Sequence, residues 1–133
     1  MNLTILFLTV TTMYHLPSNL LSKVCFVESS HKTNIITQDT NGQKSIGICQ
    51  IQLRTAKSLG FKGSELDLLN PSVNIKFAGA YLSHQFNRYR NWTKAVKAYN
   101  AGFAKNNIPN QYYKKVCSVD MGSKIPRLLV SSK

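Results

Sequence analysis

The stretch that begins at Asn70-Pro71 limits the fold more than any other part of the chain. Asn accepts the unpaired N–H groups of a first helical turn through its side chain. Pro fits beside it, because the N–H it lacks would have had no partner there. Behind this start Ile75, Ala78, Leu82, Phe86 and Tyr89 recur at three- and four-residue steps, which keeps one face apolar over about four turns. Asn74, Lys76, Ser83, Asn87 and Arg88 are expected mainly on the opposite, wet side. A helix of this kind requires neighbours that cover its apolar face.

The remaining sequence supplies helical neighbours and little else. Pro17-Ser18 reads as a helix opening, after which Leu20, Val24 and Val27, with Leu21, Cys25 and Glu28 in parallel, form one broad stripe. Gln50 to Leu59 reads as a helix closed by Gly60, and Ser64 with Asp67 as the capping signal of a short helix. A further helix runs from Thr93 through Ala95, Val96, Ala98 and Tyr99 to a stop at Gly102, and a last one over Gln111–Cys117 carries Tyr112, Tyr113 and Val116. Turn formers crowd residues 37–48, where a loop or a short hairpin around Asn41-Gly42 fits. No alternating run is long enough for a larger sheet. The expected fold is mainly α, several helices around one core, with at most a short hairpin or irregular loop near residues 37–48.

With 133 residues, 43% of them hydrophobic, the chain suits a single packed domain. Residues 1–13 form an apolar leader that reads either as a signal peptide or membrane tether, or as an ordinary first helix. The run is too short to span a bilayer, no Lys or Arg precedes it, and no clear small-x-small cleavage site follows. Residues 14–117 are the domain proper, and 118–133 a basic, loosely docked tail. Cys25, Cys49 and Cys117 show no CxxC, and with His15, His31 and His84 they complete no zinc spacing, so no metal or cofactor is expected. The odd count leaves one bridge plus one free thiol open; buried apolar thiols are the expected reading.

Seventeen Lys and Arg face five Asp and Glu, a formal net charge of +12. Such a surface favours polyanions: nucleic acid, an anionic membrane face or an acidic wall polymer. No basic tract exceeds two residues, which argues against a dedicated nucleic-acid stripe. With so few acids, Glu28 stands out at the end of an apolar stripe. Burial disfavours its ionised form and raises its pKa, the property a general acid near neutral pH requires. The alternative is a surface glutamate paired with Lys32 one turn on.

What surrounds Glu28 shifts the balance between these. Glu28-Ser29 is followed by a polar loop and then by Ser45-Ile46-Gly47-Ile48-Cys49-Gln50-Ile51. Asn70-Pro71, Asn74-Ile75, Gly79-Ala80-Tyr81-Leu82 and Ala98-Tyr99-Asn100-Ala101-Gly102 come next, in that order. From Tyr14 to Val116 the chain resembles the soluble-type lytic transglycosylases, a lysozyme-like family related to goose-type lysozymes, through its E-S, G-x-x-Q and A-Y-N-A-G motifs. It departs from them in Cys49, where Met is usual, and in the segment 39–44.

The resemblance implies a catalytic Glu28. In this family one glutamic acid cleaves the β-1,4 bond between N-acetylmuramic acid and N-acetylglucosamine in peptidoglycan. It protonates the departing oxygen, then draws the proton from the C6 hydroxyl, which closes onto C1 as a 1,6-anhydro sugar. It also implies a substrate-binding set of Ser29, Ser45, Gly47, Gln50, Tyr99 and Asn100. Gly47 would let the backbone approach sugar, Gln50 would bond an N-acetyl group, Tyr99 would orient the catalytic carboxyl, and Asn100 would line the cleft. Ser29, on this reading, either touches substrate or only finishes its helix. Asp39 is either a second acid that activates water, as in goose-type hydrolysis across ~6.5–9.5 Å, or the side chain of an Asx turn.

The implied partner is a peptidoglycan glycan strand, with a secretion, conjugation or phage lysis or entry apparatus as further company. No specific nucleic acid, no cofactor and a monomer are expected, in the periplasm or cell envelope or associated with phage. The rivals are a muramidase on the same fold and a non-catalytic basic wall- or nucleic-acid-binding protein. Tyr89, Trp92, Tyr112 and Tyr113 are aromatic candidates for stacking, more of them expected in core or rim, and Tyr81 and Leu82 are expected to pack.

Overall fold

A computed structural model describes residues 2–40, 42–102 and 110–120 of the chain. In order these form α1 (Leu3–Met13), α2 (Leu20–Ser29), β1 (Ile36–Gln38), β2 (Lys44–Ile46), β3 (Ile51–Gln52), α3 (Leu53–Ser58), α4 (Glu65–Leu69), α5 (Pro71–Tyr89), α6 (Trp92–Ala101) and α7 (Gln111–Ser118). The architecture is mainly α, as expected, with one small antiparallel sheet in the order β1-β2-β3.

Helix α5 is the central beam. Asn70 accepts from Ser72 N and Pro71 occupies the first turn, and Ile75, Ala78 and Leu82 are buried. α6, α1, α2, α3 and α4 all pack against it. The pattern fails at Asn74, expected on the wet side but fully buried. The reason lies outside the helix. Its Nδ2 donates to Ile46 O and Leu68 O at 2.8 Å each, and its Oδ1 accepts from Cys49 N at 2.9 Å. These backbone groups would otherwise be buried without partners.

Residues 1–13, read either as a leader or as a helix, form α1 over Leu3–Met13, which buries Leu6, Phe7 and Val10 in the common core. Gly79 on α5 makes room for it, since a Cβ there would lie 2.3 Å from Val10 Cγ1. No helix among the described residues is long and apolar enough to cross a membrane.

Three local expectations are corrected. The second helix opens at Leu20, not at Pro17-Ser18, because Asn19 sits in the left-handed region (φ 64°) and breaks the run. The helix expected from Gln50 starts at Leu53, since Ile51 and Gln52 pair with Ile46 and Ser45 as a third strand. Its end is as read: Phe61 N bonds Ala56 O and Gly60 N bonds Lys57 O, a Schellman closure. The buried thiols are not thiols. Cys25 and Cys49 form a disulfide, and Cys117 is free and exposed at the end of α7.

The 37–48 segment is the expected hairpin, with Ile36 opposite Ile46 and Thr37 opposite Ser45. The Ser64–Asp67 capping box on α4 also forms. Of the tail, Ser118 closes α7, and residues 121–133 lie outside the described residues.

Candidate active site

The C-terminal end of α2, the three-stranded sheet and the end of α6 enclose a cleft of about 660 Å³. Glu28 enters it from the last turn of α2, where Ser30 (φ 58°) turns the chain away. Thr37 and Asp39 come from the β1 side, Gln50 from the turn before β3 and Gln52 from β3 itself, and Tyr99 and Asn100 from α6.

Glu28 is half-buried, and its Oε2 accepts the hydroxyl of Tyr112 at 2.5 Å. Lys32 is not its partner. Burial pushes the Glu28 carboxyl from the ordinary glutamate value up to about 7; the Tyr112 hydroxyl opposes that rise, and the Asp39 carboxylate adds to it. The acid is therefore about half protonated at neutral pH. Burial and the neighbouring Glu28 likewise push the Tyr112 phenol far up, so it serves as a neutral donor.

The expected orienting tyrosine, Tyr99, does something else. Its buried hydroxyl donates to Cys49 O at 2.7 Å. It thereby belongs to a clamp on the Gly47–Gln50 turn that draws on three helices. Asn74 of α5 receives Cys49 N, Ser29 of α2 donates to Ile48 O at 2.6 Å, and Cys25 of α2 is covalently joined to Cys49. Gly47 completes the clamp. At φ 79° it takes a conformation that favours glycine, and a Cβ there would meet Asn74 Nδ2 at 2.4 Å.

The predicted substrate set thus divides. Gln50, Ser45, Tyr99 and Asn100 line the cleft with Glu28; Gly47 and Ser29 are buried behind its wall. Gln50 donates through Nε2 to Gly47 O at 2.9 Å, and its Oε1 accepts from Thr37 at 2.6 Å, leaving one lone pair for a ligand. Ser45 donates to Asp39 Oδ2 at 2.6 Å and Gln52 Nε2 to the same oxygen at 2.9 Å. These side chains hold the Asp39 carboxylate. The local turn is closed by backbone instead, through Asp39 N to Gln43 O and Gly42 N to Asp39 O.

Two residues were read differently from the sequence. Tyr81 packs 5.1 Å from the Tyr99 ring, as expected, but also reaches the cleft wall. Tyr112, a candidate for stacking or for core or rim, does pack against the core, but nothing within its own helix marks it as the partner of a glutamate 84 positions away. Trp92 stacks on Phe86 at 4.0 Å. Among the described residues no group of three or more His, Cys, Asp or Glu could hold a metal ion.

The family described as "Transglycosylase SLT domain" matches residues 5–117. A peptidoglycan-binding-like protein of Escherichia coli O157:H7 is 33% identical over 116 residues, 79% of this chain and 70% of the relative. A second such protein, from Escherichia coli K12, is 33% identical over 105 residues, 72% of this chain and 66% of its own length. Among solved structures, an inactive mutant of the lytic transglycosylase Slt from Pseudomonas aeruginosa superimposes with a TM-score of 0.63 at 21% identity. That match covers 89% of this chain and 21% of the Pseudomonas chain, so the likeness is one of fold.

Proposed function

The chain belongs to the transglycosylase SLT domain family, and from that premise we propose that it is a peptidoglycan lytic transglycosylase with Glu28 as its acid and base. The observation that carries this reading is a half-buried carboxyl, pushed up to about 7 by its burial, that lines a cleft of about 660 Å³. Tyr112 occupies Oε2, so the transferable proton resides on Oε1. In the first step that proton passes to the glycosidic oxygen as the C1–O bond breaks, and positive charge develops at C1. In the second, the Glu28 carboxylate takes the proton of the C6 hydroxyl while O6 bonds to C1. The carboxylic acid is regenerated, no water is consumed, and one group serves both steps.

The other lining residues have roles consistent with this. Gln50 offers its remaining lone pair to an acetamido N–H, and Asn100 hydrogen-bonds the sugar at the α6 side. Ser29, Gly47 and Tyr99 act indirectly, by fixing the turn that presents Gln50. Attraction of a basic protein to acidic wall material fits an enzyme that works at the cell envelope, and weakens with salt.

Asp39 favours a second reading, hydrolysis by a water that it activates. It lines the same cleft and acts on Glu28 electrostatically. We give it second place because its Oδ2 is anchored to the wall by Ser45 and Gln52.

Digestion of purified peptidoglycan followed by mass spectrometry tests both. 1,6-Anhydro ends identify the transglycosylase and reducing ends the muramidase. Glu28→Gln, which keeps the shape and removes the acid, is expected to fold and to release neither. Full activity in that variant overturns the assignment, and binding by the unsubstituted protein without release of any end leaves the non-catalytic reading.

A further inference from the structure

Among the described residues, three charged side chains line the cleft: Glu28, Asp39 and Arg54. Two are accounted for by the site already described. Arg54 is not. It sits in the first turn of α3 and is exposed, and among the described residues its guanidinium has no ion-pair or hydrogen-bond partner. The cleft's other carboxylate does not claim it, since Asp39 takes neutral donors from Ser45 and Gln52 instead. A planar fork of five N–H donors is thus left open at the wall of a binding cleft, in a shape that suits a carboxylate held through two parallel bonds.

We propose that Arg54 is a carboxylate-binding subsite that selects where along a glycan strand the chain binds; this rests on the reading of the cleft as a glycan-strand site. The sugar rings of such a strand are neutral. Its anionic groups are carboxylates of two kinds: those of the lactyl ethers where the stem peptide has been removed, and those of the stem peptides themselves. Both offer the same chemistry to a guanidinium. A substrate carboxylate in this cleft shares it with the Asp39 carboxylate, and Arg54 supplies the opposite charge on the same wall.

Lys57 supplies the control. It lies on the same short helix and is exposed, but it does not line the cleft. Loss of the general basic charge removes the same unit from either position; loss of a subsite acts only at Arg54.

The experiment measures binding of soluble glycan strands in the Glu28→Gln background, which holds substrate without turning it over. The strands are peptide-bearing, peptide-stripped, and each of these with carboxylates converted to methylamides. Arg54→Gln is expected to weaken binding of carboxylate-bearing strands about tenfold, the worth of one charge-assisted hydrogen bond. It is expected to leave the neutralised strands within about twofold, with Arg54→Lys in between and Lys57→Gln unchanged. A loss confined to stripped strands assigns the lactyl carboxylate; one confined to peptide-bearing strands assigns the stem peptide. Equal losses on charged and neutralised strands, no loss on either, or the same loss from Lys57→Gln each overturns the proposal. If the unsubstituted protein releases no sugar ends at all, the catalytic reading fails by itself, and these binding constants still decide the subsite.

Discussion

Replacing Tyr112 by Phe removes one hydroxyl from the candidate site and keeps the ring that packs against the core. That hydroxyl donates to Glu28 Oε2 and holds the carboxyl's pKa below where burial and Asp39 alone would put it. A hydrogen bond to a charged acceptor contributes about 1.5–3 kcal/mol. At 1.36 kcal/mol per pKa unit, its loss moves the alkaline limb of the kcat/KM profile upward by about one to two pH units from its start at about 7. Below about pH 6 the acid is protonated in both proteins, so any rate loss there measures orientation alone.

The profile is read from sugar-end release between pH 5 and 10, alongside an NMR titration of the Glu28 carboxyl carbon. Tyr99→Phe serves as the contrast: its hydroxyl donates to Cys49 O, so the limb is expected to stay in place while stability falls. A limb in Tyr112→Phe that does not move, or moves toward acid, refutes the assignment of Tyr112 as the residue that tunes the acid.

Because the Glu28 carboxyl rises from 4.5 to about 7 on folding, its ionisation opposes the folded state. The contribution is fully present below pH 4.5 and is lost as pH climbs through 7, so Glu28→Gln is expected to be the more stable protein at pH 8 by up to about 3 kcal/mol and not at pH 4; denaturant midpoints that differ equally at both pH values contradict this. Asn74→Leu leaves Cys49 N, Ile46 O and Leu68 O without partners, and a loss of at least about 3 kcal/mol is expected in urea unfolding, where a loss under about 1 kcal/mol would sink the clamp. Reduction of the Cys25–Cys49 bridge, which closes a separation of 24 residues, is expected to destabilise by about 3 kcal/mol and to lower the Tm. An unchanged melt after reduction and alkylation counts against a structural bridge.

Helix α5, its Asn-Pro start and its buried stripe were legible in the sequence because they depend on neighbours three or four residues apart. The Ser64–Asp67 capping box and the Gly60 stop are local in the same sense. Glu28 was legible too, as a carboxyl misplaced on an apolar face. The partners were not. The family resemblance points to Tyr99, and only the packing of α7 against α2 and α6 brings the Tyr112 hydroxyl to the glutamate while that of Tyr99 bonds Cys49 O. Asn74 lies on α5 as the periodicity predicts, yet it is buried because β2, the Gly47–Gln50 turn and α4 each bring it a backbone group that needs a partner. Three cysteines allow several pairings, and spacing along the chain prefers none of them. Sequence order therefore settles what short-range periodicity and capping can settle. Hydrogen bonds and bridges that close over tens of residues belong to the tertiary structure, because their energy depends on which groups are left without water once the helices meet.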